Sequence, residues 1–142
     1  LFCDVGMPVL LQCMRGYGST MVEAQARIDR PFIATENANH RTDHAVVGAL
    51  VCRTWQFDAA VVAAVRLHHD LNTLGGSDTE PEVQTLVAAG LVAEHLMRRA
   101  EGLSANREWS DHGRDALDWL ALEGTDLEIF EERLQPLFDE VH

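Results

Sequence analysis

Lysine is absent from this 142-residue sequence: all 11 basic side chains are arginine, against 23 acidic side chains and a formal net charge of −12. The one local basic cluster is the pair Arg98 and Arg99. Because phosphate groups are bound by clustered positive charge, this distribution argues against nucleic acid and against an anionic membrane surface as partners.

Cysteine and long apolar runs are also scarce. The three cysteines, Cys3, Cys13 and Cys52, are odd in number, widely spaced and never in a CxxC pair, which is typical of reduced thiols in a cytoplasmic protein. The longest apolar runs, 45–52 and 59–65, fall far short of the roughly 20 residues that a membrane-spanning helix needs. We therefore expect an acidic cytoplasmic protein with no membrane segment.

The apolar residues recur with a helical period, and no segment alternates convincingly with a period of two. This pattern predicts an all-α bundle of about six or seven helices in a single domain, residues 1–142. The runs 45–52 and 59–65 are expected to form a buried central hairpin that begins after an N-cap at Thr42 or Asp43. Further helices are predicted from Pro81 to about residue 100 and after an N-cap at Ser110.

Histidine is the most informative residue type. His44 begins one predicted helix, and His68 and His69 end the next, so an antiparallel pair of helices would bring the three imidazoles together. With Asp4 they resemble the mixed imidazole and carboxylate shells of Zn, Mn or Fe. The alternative is that the paired histidines only cap helix carbonyls. The surroundings of His95 and His112 are polar, and we predict that both lie at the surface.

Several motifs together resemble the HD superfamily of metal-dependent phosphohydrolases, and within it the HDOD family of bacterial signalling proteins. They are CDVGM at the start, Glu36 followed by seven residues and His44, the HxxxGxxxxxxW pattern of His44, Gly48 and Trp55, VRLHHD, and LVAAGLVAEHL. The resemblance covers nearly the whole chain and implies an HD-like helical bundle. It also implies that the family's N-terminal helices are missing here, and that residues from about 106 to 142 are its C-terminal helices.

The same resemblance implies a degenerate metal site. The His-Asp pair of active relatives corresponds here to Cys3 and Asp4, and the aspartate expected after Ala89 is replaced by Gly90. Vestigial ligands remain at Asp4, His44, His68 and His69. Because hydrolysis in this superfamily needs metal-bound water, we expect no catalytic residues, no cofactor and at most one weakly bound divalent metal.

The sequence thus favours a non-enzymatic bacterial regulatory module that acts through contacts with other signalling proteins or domains. The alternative is a metal-dependent phosphohydrolase acting on a nucleotide or cyclic dinucleotide. A nucleotide sensor without hydrolysis has less support, because no glycine-rich phosphate loop is present. The apolar opening, residues 1–11, has no polar lead-in, so we expect part of a longer protein and self-association through this segment.

Overall fold

The computed structural model describes residues 2–141, and within them it contains eight α-helices, one short 3₁₀ helix and no strand. The helices are α1 (Gly6–Cys13), α2 (Tyr17–Ala26), α3 (Phe32–His40), α4 (His44–Thr54), α5 (Ala59–Leu67), the 3₁₀ helix (Leu71–Thr73), α6 (Pro81–Ala100), α7 (Arg107–Leu120) and α8 (Gly124–Val141). The predicted all-α architecture is confirmed. The count exceeds six or seven because the backbone is extended at Arg27 and again at Pro31, which separates α2 from α3.

Contacts along the chain divide it into two compact units, residues 1–69 and residues 70–142. The first unit contains α1 to α5, and the second contains the 3₁₀ helix and α6 to α8. The single-domain interpretation of the sequence stays a prediction. None of the described helices is both long enough and apolar enough to cross a lipid bilayer.

The predicted hairpin forms the centre of the first unit, where α4 packs against α5 and α1 packs against α4. Its core consists of Ala49, Cys52 and Val65, with Val5, Phe57, Val61 and Val62 packed around them. The hairpin is less buried than its composition predicted, since Leu50 is half exposed and only Ala64 and Val65 of α5 are fully buried. A helix packed on one or two sides leaves the remaining face in solvent even when that face is apolar.

Asp43 is the N-cap of α4, which confirms one of the two predicted alternatives. Its side chain accepts a hydrogen bond of 2.9 Å from the backbone N–H of Val46, and a second of 2.7 Å from the amide of Asn37. The bond from Val46 satisfies a donor that the first turn of the helix leaves unpaired. Asp43 is therefore the cap, and α4 begins at the next residue, His44.

In the second unit, α7 and α8 pack against the long helix α6. The N-cap of α7 is Asn106, whose side chain accepts a 2.9 Å hydrogen bond from the backbone N–H of Trp109. The prediction of a cap at Ser110 is wrong, because α7 begins one turn earlier and the Ser110 hydroxyl donates back to the Asn106 carbonyl. On α8 only Leu127 is fully buried.

His95 is buried, with 7% of its surface exposed, and the prediction that it lies at the surface is wrong. It continues the buried stripe of α6 that runs through Val83, Val87 and Leu91 at intervals of four residues. Its ring stacks on Trp109 with a centroid distance of 3.8 Å and an angle of 4° between the planes. The four-residue spacing was the sequence signal that could have placed His95 in the interior.

Candidate metal centre

The four residues singled out by the sequence lie together in the first unit. Asp4 stands in the turn before α1, His44 is the first residue of α4, and His68 and His69 directly follow α5. Each offers one ligand atom, and these four atoms lie within 4.8 Å of one another. The α4–α5 hairpin causes this convergence, since the start of one antiparallel helix lies near the end of the next.

The separations resemble those within a single coordination shell. His44 Nε2 lies 2.9 Å from His69 Nε2 and 3.4 Å from Asp4 Oδ1. His68 Nε2 lies 3.5 Å from the same Asp4 oxygen, and it is buried without a hydrogen-bond partner among the described residues. Donors bound tetrahedrally to one zinc ion would be about 3.3 Å apart. Three imidazoles and one carboxylate therefore fit one divalent ion with little movement.

Two imidazoles are anchored through the ring nitrogen that faces away from the cluster. His44 Nδ1 donates a 2.8 Å hydrogen bond to Glu36 Oε2, and His68 Nδ1 donates a 2.6 Å bond to the carbonyl of Val65. A ring that donates through Nδ1 can present the lone pair of Nε2 to a metal. Both rings are thus oriented as metal-binding histidines usually are.

Glu36 and Tyr17 form the buried support of His44, and sequence reasoning did not identify that role. Glu36 is completely buried on α3, and Tyr17 on α2 is 1% exposed. The Tyr17 hydroxyl donates a 2.5 Å hydrogen bond to Glu36 Oε1. The sequence relates Glu36 to His44 only through a family motif, and no local pattern relates Tyr17 to a residue 19 positions away.

Hydrogen bonds and burial shift the pKa values of several groups in and beside the cluster. His44 Nε2 and His68 Nε2, at 3.4 and 3.5 Å from Asp4 Oδ1, hold the pKa of the Asp4 carboxyl far below its usual range, although partial burial opposes this. Burial favours neutral His44, but its bonds with Asp4 and Glu36 outweigh burial and raise its pKa to about 9. Burial and the Glu36 carboxylate raise the pKa of Tyr17 well above the ordinary value, so its hydroxyl remains a donor.

Cys3 and Gly90, the two positions interpreted as lost ligands, lie in different units of the structure. Cys3 is half-buried and adjacent to Asp4 in the first unit, but it does not belong to the four-residue group. Gly90 lies within α6 of the second unit, and a Cβ atom there would meet no atom within 4 Å apart from its chain neighbours and the backbone of its own helix. The interpretation of Gly90 as a former ligand position stays a prediction.

A scan against protein-family models adds an independent observation: residues 1–71, half of the chain, match the model of the HDOD domain. The chain belongs to the HDOD family. This family is HD-related and associated with signalling, so the predicted HDOD membership is confirmed. The match ends at residue 71, so the interpretation of residues from about 106 to 142 as the family's C-terminal helices stays a prediction. The HDOD match includes Asp4, His44 and both adjacent histidines. Comparisons with curated proteins and with solved structures found no significant match.

Proposed function

We propose that this HDOD protein is a non-enzymatic bacterial signal-transduction module that acts through protein–protein contacts in the cytoplasm, with a degenerate site for at most one weakly bound divalent metal. The observation that carries this proposal is the convergence of Asp4, His44, His68 and His69 on one point. Four protein ligands complete the shell of a tetrahedral ion, as in structural sites.

Two features of the cluster argue against catalysis. A hydrolytic zinc ion must keep one of its four tetrahedral positions for water, and four protein ligands together would occupy all of them. Two-metal sites also need carboxylates that bridge the ions, yet in the part of the chain that the structure describes, Asp4 is the one carboxylate of the group. The carboxylate of Glu36 is already engaged by Tyr17 and by His44.

Exposed apolar side chains support a function through protein contacts. They occur in both units and include Phe2, Leu11, Leu50 and Trp55 in the first and Ile129, Leu137 and Val141 on α8 in the second. Removing such surface from water favours association. We infer that other signalling proteins or domains bind to these exposed apolar side chains. We also infer that the apolar N-terminal segment, residues 1–11, contributes to self-association.

Self-association can be tested with two matched variants in sedimentation experiments. Leu11 is 50% exposed on α1 within the apolar N-terminal segment, whereas Val22 is 68% exposed on α2 outside it. Leu11→Glu is expected to shift the protein towards monomer, and Val22→Glu is expected to leave the distribution unchanged. A wild-type protein that is monomeric at all concentrations would contradict the role of the N-terminal segment.

Elemental analysis and zinc titration test the metal part of the proposal. Assays of hydrolysis, with bis(4-nitrophenyl) phosphate and a cyclic dinucleotide as substrates, test the absence of enzyme activity. We expect at most one zinc per chain and no turnover. His69→Ala is expected to weaken zinc binding. His112→Ala, in α7 of the second unit, is the control and should leave zinc binding unchanged.

The alternative function is that of a metal-dependent phosphohydrolase, and the cluster of three imidazoles with Asp4 is the observation that favours it. The same experiment decides between the two. Two bound metals per chain, with turnover that is lost in His44→Ala and kept in His112→Ala, would establish the enzyme and overturn the regulatory proposal.

A further inference from the structure

Glu36 is unusual because its carboxylate is completely buried and lies outside the group of four ligand atoms. Burying a carboxylate costs several kcal/mol unless good hydrogen bonds replace water. Three donors surround it: the Tyr17 hydroxyl at 2.5 Å and the His44 backbone N–H at 3.1 Å on Oε1, and His44 Nδ1 at 2.8 Å on Oε2. Two of the three come from a single residue, His44.

The contacts connect three helices through one side chain. Tyr17 belongs to α2, Glu36 to α3 and His44 to α4. The backbone bond places the carboxylate relative to the start of α4, and the bond from Nδ1 then fixes the rotation of the imidazole ring. The hydroxyl of Tyr17 donates to the same Oε1 atom as the backbone N–H of His44 and holds the carboxylate in this position.

We propose that Glu36, held by Tyr17, is a positioning residue that keeps a proton on His44 Nδ1 and directs His44 Nε2 at Asp4 and His69, so that two residues that bind no metal set the metal affinity of the cluster. The inference rests on the proposed function for its metal-binding consequence. The arrangement of the His44 ring itself does not require a metal.

The chemistry of Glu36→Gln shows why a carboxylate is needed here. A carboxylate only accepts hydrogen bonds, so it selects the ring form with a proton on Nδ1. An amide can turn its NH₂ group towards Nδ1, and a neutral ring would then carry its proton on Nε2, where it blocks a metal. Partners of this kind in other metal sites change the affinity by about 10–100-fold.

The first experiment uses the metal-free protein and long-range ¹H–¹⁵N NMR of the imidazole rings at neutral pH. We expect a slowly exchanging proton on His44 Nδ1 in the wild type, because that nitrogen is buried against Glu36. The signal should be lost or should exchange rapidly in Glu36→Gln. A wild-type His44 without a protected Nδ1 proton would overturn the proposal, whether or not the protein binds metal.

The second experiment compares zinc affinity in Tyr17→Phe, Glu36→Gln and a matched control, Thr20→Val. Thr20 is also buried on α2, and its hydroxyl bonds to His40 rather than to Glu36, so its loss should affect stability but not zinc affinity. We expect zinc affinity to fall about 10–100-fold in Glu36→Gln and by a smaller factor in Tyr17→Phe.

The two experiments separate the failure of this inference from the failure of the proposed function. Equal zinc affinity in the wild type and Glu36→Gln, or equal losses in Tyr17→Phe and Thr20→Val, would overturn the positioning role. A wild type that binds no zinc contradicts the metal site, and the NMR signal of His44 then decides whether Glu36 positions the ring.

Discussion

Gly6 on α1 lies directly against the backbone of His44: a Cβ atom at position 6 would overlap the carbonyl oxygen of His44 and lie 2.8 Å from the amide nitrogen of Gly48. The helix that follows Asp4 can therefore approach the helix that begins with His44 only because residue 6 has no side chain. This contact brings the carboxylate of the cluster within reach of its imidazoles.

Gly6→Ala is expected to force α1 away from α4, with a loss of about 1–3 kcal/mol in the free energy of unfolding and weaker zinc binding. Chemical denaturation and zinc titration measure the two effects. Gly18→Ala is the control: residue 18 is an exposed helical position of α2, where a Cβ atom meets nothing closer than 3.8 Å. That change should leave stability equal or raise it by about 0.5–1 kcal/mol. Equal stability in both variants would contradict the close packing of α1 on α4.

Zinc binding is expected to depend on pH through His44. Burial opposes its charged form, but Asp4 and Glu36 raise its pKa to about 9, so the metal-free cluster holds a proton that zinc must displace. Lowering the pH below 9 should therefore reduce the apparent affinity by about tenfold per unit. Calorimetric titration in two buffers of different ionisation enthalpy counts the released protons. An affinity that is constant between pH 6 and pH 8 would contradict this.

The raised pKa of His44 has the opposite effect on the stability of the metal-free protein: lowering the pH increases the stability, whereas it weakens zinc binding. Between the unfolded value of 6.5 and the folded value of about 9, the folded protein holds the His44 proton and the unfolded chain does not. The contribution of His44 to the free energy of unfolding is therefore fully present below pH 6.5 and lost as the pH rises through 9. Comparing the wild type with His44→Gln at pH 6 and at pH 9.5 isolates this contribution, which should be larger at pH 6.

His95 is expected to make the second unit less stable in acid. Burial lowers its pKa, as does the charge of Arg99, against a smaller raising effect of Glu131, and Arg98 adds the smallest lowering effect. Because the folded state binds this proton less readily than the unfolded chain, stability should fall as the pH drops below 6.5. His95→Phe retains a ring that can stack on Trp109 and removes the titration. Unfolding measured at pH 7.5 and pH 5 should show a smaller loss in the variant, and an equal loss would refute the role of His95.

The cap of α7 can be tested with a pair of neighbouring substitutions. Asn106→Ala removes the acceptor of the Trp109 backbone N–H and should cost about 1 kcal/mol, within the range of measured N-caps. Ser110→Ala removes only a hydroxyl that donates to the Asn106 carbonyl, and its effect on the free energy of unfolding should be within about 0.5 kcal/mol. A larger loss in the free energy of unfolding in Ser110→Ala than in Asn106→Ala would support Ser110 as the cap, as the sequence predicted.

Local patterns predicted the all-α class and the ligands of the candidate site, although they missed one helix and misplaced the start of α7. The period of the apolar residues predicted an all-α chain, and Asp43 could be read as a cap because a cap depends only on the residues of its own first turn. His44, His68 and His69 lie at the ends of two helices joined by a short corner, so their proximity follows from chain connectivity. The family motif in residues 1–71 points to the same residues.

Contacts between distant segments decided what the sequence could not. Periodicity, caps and motifs are local features, and they were enough to predict the helical class, the HDOD family and the four ligand candidates. Only the tertiary structure showed that Tyr17 holds Glu36 against His44 and that His95 stacks on Trp109. The physical reason is that a buried polar group is stabilised by whichever donor or ring packing brings to it, and residues 14 or 19 positions apart carry no local signal of that meeting.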